Sequence, residues 1–268
     1  MKKLNWTAAL LAASVALPGA MTAAMAQDIT IGVSVSSTGP AAALGVPEKN
    51  ALEFAPTEIG GAKLKIIALD DAGDPTAATT NARRFVTESK ADILIGSSIT
   101  PPSIAISTVA NEVGVPHFSL APMPITDARA KWTAVMPQPV PIMGKVLYEH
   151  MKKNNVKTVG FIGFSDSYGD LWLNDLKTQT GQMGGISVVA EERYARPDTS
   201  VTGQVLKLLS ANPDAILVGA SGAGAALPQT ELRNRGYKGL IYQTHGAAAI
   251  DFIRIAGPAA EGVFMASG

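Results

Sequence analysis

The stretch ADILIGSSITPPSIAISTVANEVGVPHFS, residues 91–119, contains one complete repeat of the pattern that decides the fold. A short apolar run at 93–95 predicts a strand, the segment 102–113 predicts a helix, and the run 115–119 predicts a second strand. The strands are apolar on both faces, as in parallel sheets that are covered by helices on both sides. The stretch therefore predicts a strand–helix–strand unit of an α/β protein.

The same alternation extends in both directions, with one interruption at 121–142, where five prolines fall in a segment of little periodicity. Upstream, Asp74 is a predicted N-cap for a helix that begins at Pro75. Further elements are strands at 29–36, 64–69, 157–163, 186–193, 214–219, 239–243 and 262–266, and helices at 47–59, 142–154, 168–183, 200–211, 224–235 and 248–256. We therefore predict two doubly wound lobes with mainly parallel sheets, lobe 1 at 27–140 and lobe 2 at 141–262, with 263–268 starting a return crossover.

The first 26 residues have the pattern of an export signal. Lys2 and Lys3 precede a mostly apolar run at 4–18, and Ala24-Met25-Ala26 offers small residues at both positions of a cleavage site. The chain contains no cysteine, which excludes a lipid anchor on cysteine, disulfides and thiolate metal sites. We expect a protein of the periplasm that is exported by a cleavable signal peptide at 1–26 and is not a lipoprotein.

The charge balance argues against a nucleic-acid partner. The chain carries 22 basic and 22 acidic residues, so its formal charge is zero. Removal of Lys2 and Lys3 with the signal would leave about −2, which lacks the basic footprint of a nucleic-acid binder. We expect a monomer that recognises a small molecule.

Ligands of open α/β sheets bind beyond the carboxyl ends of the strands, so the loops there are the candidate site. Gly96-Ser97-Ser98 offers hydroxyls before a helix N-terminus, which suits a carboxylate, although simple capping is the alternative. The loop 219–223 is one residue short of a nucleophile elbow, and Ser221 with His245 leaves a secreted serine hydrolase as an alternative.

The Asp70-Asp71 pair is interpreted as turn and capping groups. The three histidines lack zinc spacing. We predict no catalytic residue, no metal and no cofactor.

Five stretches together resemble the substrate-binding proteins of branched-chain amino-acid ABC transporters, the leucine/isoleucine/valine-binding type. They are 37–40 (STGP), 70–75 (DDAGDP), 96–98 (GSS), 114–119 (GVPHFS) and 166–169 (DSYG). The resemblance implies a type I periplasmic binding fold, capture of a small ligand between two lobes, and membrane permease subunits as partners. Members of the family continue past the position of Gly268, so we expect an incomplete second lobe. A periplasmic ligand-sensing module of the same fold is the main alternative.

The resemblance also implies a ligand site. Ser97, with Ser98 beside it, would receive a carboxylate, and the backbone of Ala121 and Met123 would complete that subsite. Tyr168 would form an aromatic wall, and Ser221 would face the ligand from the second lobe. Leu44 would favour an aromatic ligand, and His245 is predicted to hydrogen-bond a ring hydroxyl or a second carboxylate of it. Family members place an acid near the position of His245 to hold an ammonium group, and a buried ammonium without a counter-charge is costly. We therefore expect an aromatic or other organic acid, with a branched-chain amino acid held by some other acid as the alternative.

Overall fold

The structure is a computed structural model and describes residues 27–267. The strands form a six-stranded and a five-stranded sheet. The first sheet contains β1 Ile29–Val35, β2 Glu58–Ile59, β3 Ala62–Asp70, β4 Ile93–Gly96, β5 His117–Ser119 and β6 Thr133–Val135, in the order β2-β3-β1-β4-β5-β6. The second contains β7 Thr158–Phe164, β8 Ser187–Tyr194, β9 Ala215–Gly219, β10 Leu240–Gln243 and β11 Val263–Met265, in the order β11-β10-β9-β7-β8. Among the strand pairs of residues 27–267, only β2–β3 is antiparallel, so the predicted α/β class with mainly parallel sheets is confirmed.

Nine α-helices connect these strands within residues 27–267. They are α1 Ala42–Ala51, α2 Pro75–Thr87, α3 Thr100–Val113, α4 Asp127–Ala130, α5 Val140–Lys153, α6 Ser167–Met183, α7 Thr202–Ser210, α8 Ala226–Asn234 and α9 Ile250–Ala256. Asp74 caps α2 as predicted, because its carboxylate accepts a hydrogen bond from the Ala77 amide at 2.7 Å. No helix of this part of the chain is both long and apolar enough to cross a membrane.

The first helix differs from the prediction. It was expected at 47–59 with Pro47 in its first turn, but α1 begins at Ala42, encloses Pro47 and ends at Ala51. The alanines upstream are good helix formers and extend the helix toward β1. After a short 3₁₀ turn, the remainder of the expected helix includes β2, which pairs with the start of β3. The prediction was therefore wrong at both ends of this helix.

The proline-rich interruption contains structure that the sequence pattern did not reveal. The short helix α4 and the edge strand β6 lie within it, and β6 pairs in parallel with β5. Three residues are too few to show a period in the sequence. The lobe boundaries at 140 and 262 remain predictions, although the strands of the first sheet all precede Val140 and those of the second all follow it. The expected signal peptide lies outside the described residues.

Each sheet has its own buried core. Phe85, Leu94 and Ile106 pack together beside the first sheet, and a larger cluster around Trp172, Tyr148 and Phe161 covers the second. The cores fix the strands, and the loops after β1, β4 and β5 then face the loops after β9 and β10. These loops supply most of the residues that line a cavity between the two sheets.

Candidate functional site

A cavity of about 150 Å³ lies between the post-strand loops of the two sheets. It is lined by Leu44, Glu48, Ser98, Ile99, Leu120, Ala121, Pro122 and Pro137 from the first half of the chain, and by Tyr168, Ser221, His245, Gly246 and Ala248 from the second. The two halves touch beside it, since a Cβ atom added to Gly222 would lie 3.6 Å from Cγ of Leu44. A bound molecule would therefore contact both halves.

Six of the eight predicted site residues line this cavity, namely Leu44, Ser98, Ala121, Tyr168, Ser221 and His245. Ser97 and Met123 are not among its lining residues. Ser97 is fully buried, and its amide donates to Oγ of Ser103 at 2.8 Å. Met123 lines a different cavity, formed mainly by the proline-rich segment. Ser98 rather than Ser97 therefore presents a hydroxyl to the cavity, and the ligand-binding roles themselves remain predictions.

Glu48 is a cavity residue that the sequence analysis missed. Its carboxylate accepts a hydrogen bond from Oγ of Ser98. Burial, with a smaller contribution from the nearby Asp71, raises the pKa of Glu48 to about 7, although the Ser98 hydrogen bond acts in the opposite direction. The available signal was its position four residues after Leu44, which puts both side chains on one face of α1. The misplaced helix start concealed that spacing.

The second sheet supplies a polar wall that is held by its own hydrogen bonds. The hydroxyl of Tyr168 donates to Oγ1 of Thr244 at 2.9 Å. Burial raises the pKa of Tyr168 to about 12, so it is neutral at physiological pH. Arg196 donates to Oγ of Ser221 at 3.1 Å and pairs with Asp166 at 2.6 Å. Ser221 thus receives a hydrogen bond from a cation behind the wall and keeps its own hydrogen for another acceptor. Arg196 was also missed, because it follows an edge strand rather than a central one.

His245 completes this wall as a neutral imidazole. Burial lowers the pKa of His245 to about 4, and its ring lies 5.8 Å from that of Trp172 and 6.0 Å from that of Tyr168, measured between centroids. A neutral imidazole has one donor and one acceptor nitrogen. Both side chains are described by the structure, and no hydrogen bond joins Ser221 to His245; the partner of Ser221 is Arg196. The serine–histidine contact that the hydrolase alternative needs is therefore not formed in this arrangement.

The remaining candidates have structural roles. Asp71 accepts hydrogen bonds from Ser34 at 2.8 Å and Ser36 at 2.7 Å, and Asp70 accepts from the amide of Ala72 at 3.0 Å. The interpretation of this pair as turn groups is confirmed. His117 is buried, and its Nε2 atom lies 2.5 Å from the carbonyl oxygen of Gly96. Within residues 27–267 no cluster of acidic and histidine side chains is suited to a metal ion.

A sequence profile of periplasmic binding proteins matches residues 28–268. The chain belongs to the periplasmic binding protein family. The type I family resemblance seen in the sequence is thereby confirmed, and the family and its fold are those of binding proteins.

Solved and curated relatives agree with this assignment. An extracellular ligand-binding receptor from Rhodopseudomonas palustris is 75% identical, with a TM-score of 0.88 over 90% of this chain and 67% of that one. A leucine-binding protein from Thermotoga maritima is 25% identical, with a TM-score of 0.78 over 88% of this chain and 69% of that one. A Leu/Ile/Val-binding protein homolog of Brucella melitensis is 28% identical over 89% of this chain and 67% of the relative. The chain thus spans about two thirds of the length of these relatives.

Proposed function

We propose that this periplasmic binding protein is the solute-binding component of an ABC importer and captures a small carboxylate, most favourably an aromatic acid, between two lobes. Membrane permease subunits would receive the ligand, and export by the signal peptide at 1–26 would place the protein in the periplasm. The observation that carries the proposal is the cavity at the facing carboxyl ends of the two sheets, where open α/β sheets bind ligands.

The chemistry of the cavity supports an acid. Ser98 and Ser221 offer hydroxyls from opposite sides of the cavity. Helix α3 begins at Thr100, so the positive end of its dipole lies close to Ser98, where it favours a carboxylate. A volume of about 150 Å³ matches cavities that bind a benzene-sized group. Leu44, Ile99 and Leu120 supply apolar contacts for such a ring.

Binding without conversion is supported by the pairing of the polar groups. A nucleophilic serine needs a base within hydrogen-bond reach, whereas Ser221 is held by Arg196. We therefore favour the function of a binding protein over that of a secreted serine hydrolase. A periplasmic sensing module of the same fold is distinguished by its partner: co-purification with permease subunits supports the importer, and co-purification with a histidine kinase contradicts it.

A thermal-shift screen of the purified protein tests the ligand class. Aromatic acids, keto acids and branched-chain amino acids are compared at equal concentration, and the expected result is stabilisation by at least one acid that lacks an amine. Ser98→Ala should abolish the shift, whereas Ser210→Ala, at the end of α7 and outside the cavity, should keep it. Stabilisation by leucine but by no amine-free acid would refute the proposed ligand class.

A further inference from the structure

The hydroxyl of Ser98 already has two protein partners. Its Oγ accepts a hydrogen bond from the Ser36 amide at 2.9 Å and donates its hydrogen to the Glu48 carboxylate. A hydroxyl has one hydrogen and two lone pairs. While Glu48 is ionised, Ser98 therefore has no hydrogen left for the carboxylate of a ligand.

Protonation of Glu48 reverses this hydrogen bond. The neutral carboxyl group becomes a donor and can fill the second lone pair of the Ser98 hydroxyl. The Ser36 amide keeps the first lone pair. The Ser98 hydrogen is then released toward the cavity, where it can meet a ligand oxygen. One proton on Glu48 thus converts Ser98 from an occupied donor into an available one.

The charges around the cavity act in the same direction. Glu48 is the one carboxyl group among the cavity-lining residues of the described chain, and none of them is Lys or Arg. Asp71, which also raises the pKa of Glu48, accepts hydrogen bonds from the hydroxyls of Ser34 and Ser36. On the opposite wall of the cavity, His245 and Tyr168 are neutral. The cation behind that wall, Arg196, is already paired with Asp166. A ligand anion beside an ionised Glu48 is therefore repelled, and its arrival favours the neutral acid.

We propose that Glu48 is a specificity-determining residue that makes capture of an organic anion depend on a proton. Glu48 enters the complex as the neutral acid and turns the Ser98 hydroxyl toward the ligand carboxylate. Where Glu48 is ionised in the free protein, binding of one anion takes up one proton, which leaves a hydronium ion or buffer acid and forms the O–H bond of Glu48. The inference rests on the proposed function, because it describes the same cavity.

Isothermal titration calorimetry tests the proposal, with benzoate as the probe or, if benzoate is not bound, the acid that binds tightest in the screen. Titrations run from pH 6 to pH 9 in buffers of different ionisation enthalpy, which reports proton uptake. Because burial already raises the pKa of Glu48 to about 7, affinity should fall about tenfold per pH unit above pH 8. Proton uptake should be about 0.5 per ligand at pH 7 and approach one at pH 8.5.

Two variants separate the proton effect from simple loss of structure. In Glu48→Gln the amide donates to Ser98 at every pH, so binding at pH 8.5 should match that of the wild type at pH 6, without proton uptake. Glu53→Gln is the matched control, since Glu53 is exposed shortly after α1, and it should keep the wild-type pH profile. Proton uptake by the wild type is an independent measurement if Glu48→Gln folds poorly.

The possible results are distinct. A pH-independent affinity with no proton uptake in the wild type would overturn the inference and leave the proposed function intact. Binding of leucine that Glu48→Gln abolishes would also overturn it, because Glu48 would then act as an ionised counter-charge. Failure of every acid and amino acid of the screen to bind at any pH would refute the proposed function itself, and the inference with it.

Discussion

Replacement of Glu48 by glutamine should stabilise the ligand-free protein at alkaline pH and have little effect at acidic pH. The pKa of Glu48 rises from 4.5 to about 7 on folding, mainly because the carboxyl group is buried. The folded state therefore holds the proton more tightly than the unfolded state, and the free energy of unfolding falls as the pH rises from 4.5 to 7. Above pH 7 both states are ionised, and the penalty stays constant.

The size of the effect follows from that interval. Each pH unit within it changes the free energy of unfolding by up to about 1.4 kcal/mol, which gives a limit of about 3 kcal/mol. Because Glu48 is only partly buried and water screens it, we expect about 1–3 kcal/mol. Glutamine is neutral throughout, so the variant lacks this penalty.

Urea unfolding, followed by tryptophan fluorescence at pH 4.5, 5.5, 7 and 8, measures the difference between variant and wild type. Other titrating groups cancel in that difference. It should grow between pH 4.5 and pH 7 and then level off, while Glu53→Gln should give a constant difference. If the difference in free energy of unfolding between Glu48→Gln and the wild type also stayed constant with pH, within about 0.5 kcal/mol, the raised pKa of Glu48 in the folded state would be refuted.

Three further predictions concern the frame around the site. Gly45→Ala should cost about 1–3 kcal/mol in urea unfolding despite the better helix propensity of alanine, because the new Cβ would lie 2.1 Å from the Ser36 carbonyl oxygen. Asp74→Ala should cost about 1 kcal/mol in the same assay through loss of the α2 cap. Burial lowers the pKa of His117 and of His245 to about 4, so each of these histidines should lower the free energy of unfolding as the pH falls from 6.5 to 4, whereas Glu48 acts in the opposite direction over nearly the same range. His117→Gln removes one of the two histidine contributions, so its urea-unfolding stability relative to the wild type should increase as the pH falls from 6.5 to 4.

Much of the fold could be predicted because the central strands of the second sheet are buried on both faces. The residues of β7 and β9, such as Phe161 and Ile216, are fully buried, and such strands appear in the sequence as short apolar runs. The helices between them are amphipathic and appear with a different period. The prediction failed where neither signal operates. A proline enclosed by α1 resembled a helix start, and β6 is too short to show a period.

The candidate site could be predicted in part for a similar reason. Parallel strands bring their following loops to one edge, which places Ser221 and His245 opposite Ser98 without any knowledge of side-chain positions. The rule does not say which residue of a loop faces inward. The chain leaves β4 at Gly96 and bends at Ser98 and Ile99, so the local backbone conformation decides between Ser97 and Ser98. Glu48 lies on α1, outside the post-strand loops to which this rule applies.

The geometry of Ser98 also bears on the choice between an organic acid and an amino acid. An amino acid would require Glu48 to be ionised for the ammonium group and Ser98 to donate to the carboxylate at the same time. The single Ser98 hydrogen cannot serve both acceptors, and breaking its bond to an ionised carboxylate costs about 1.5–3 kcal/mol. An acid without an ammonium group avoids this conflict, since it leaves Glu48 neutral and allows every polar group of the Ser98 subsite to be paired. The hydrogen-bond inventory therefore favours an amine-free acid, independently of the charge near His245.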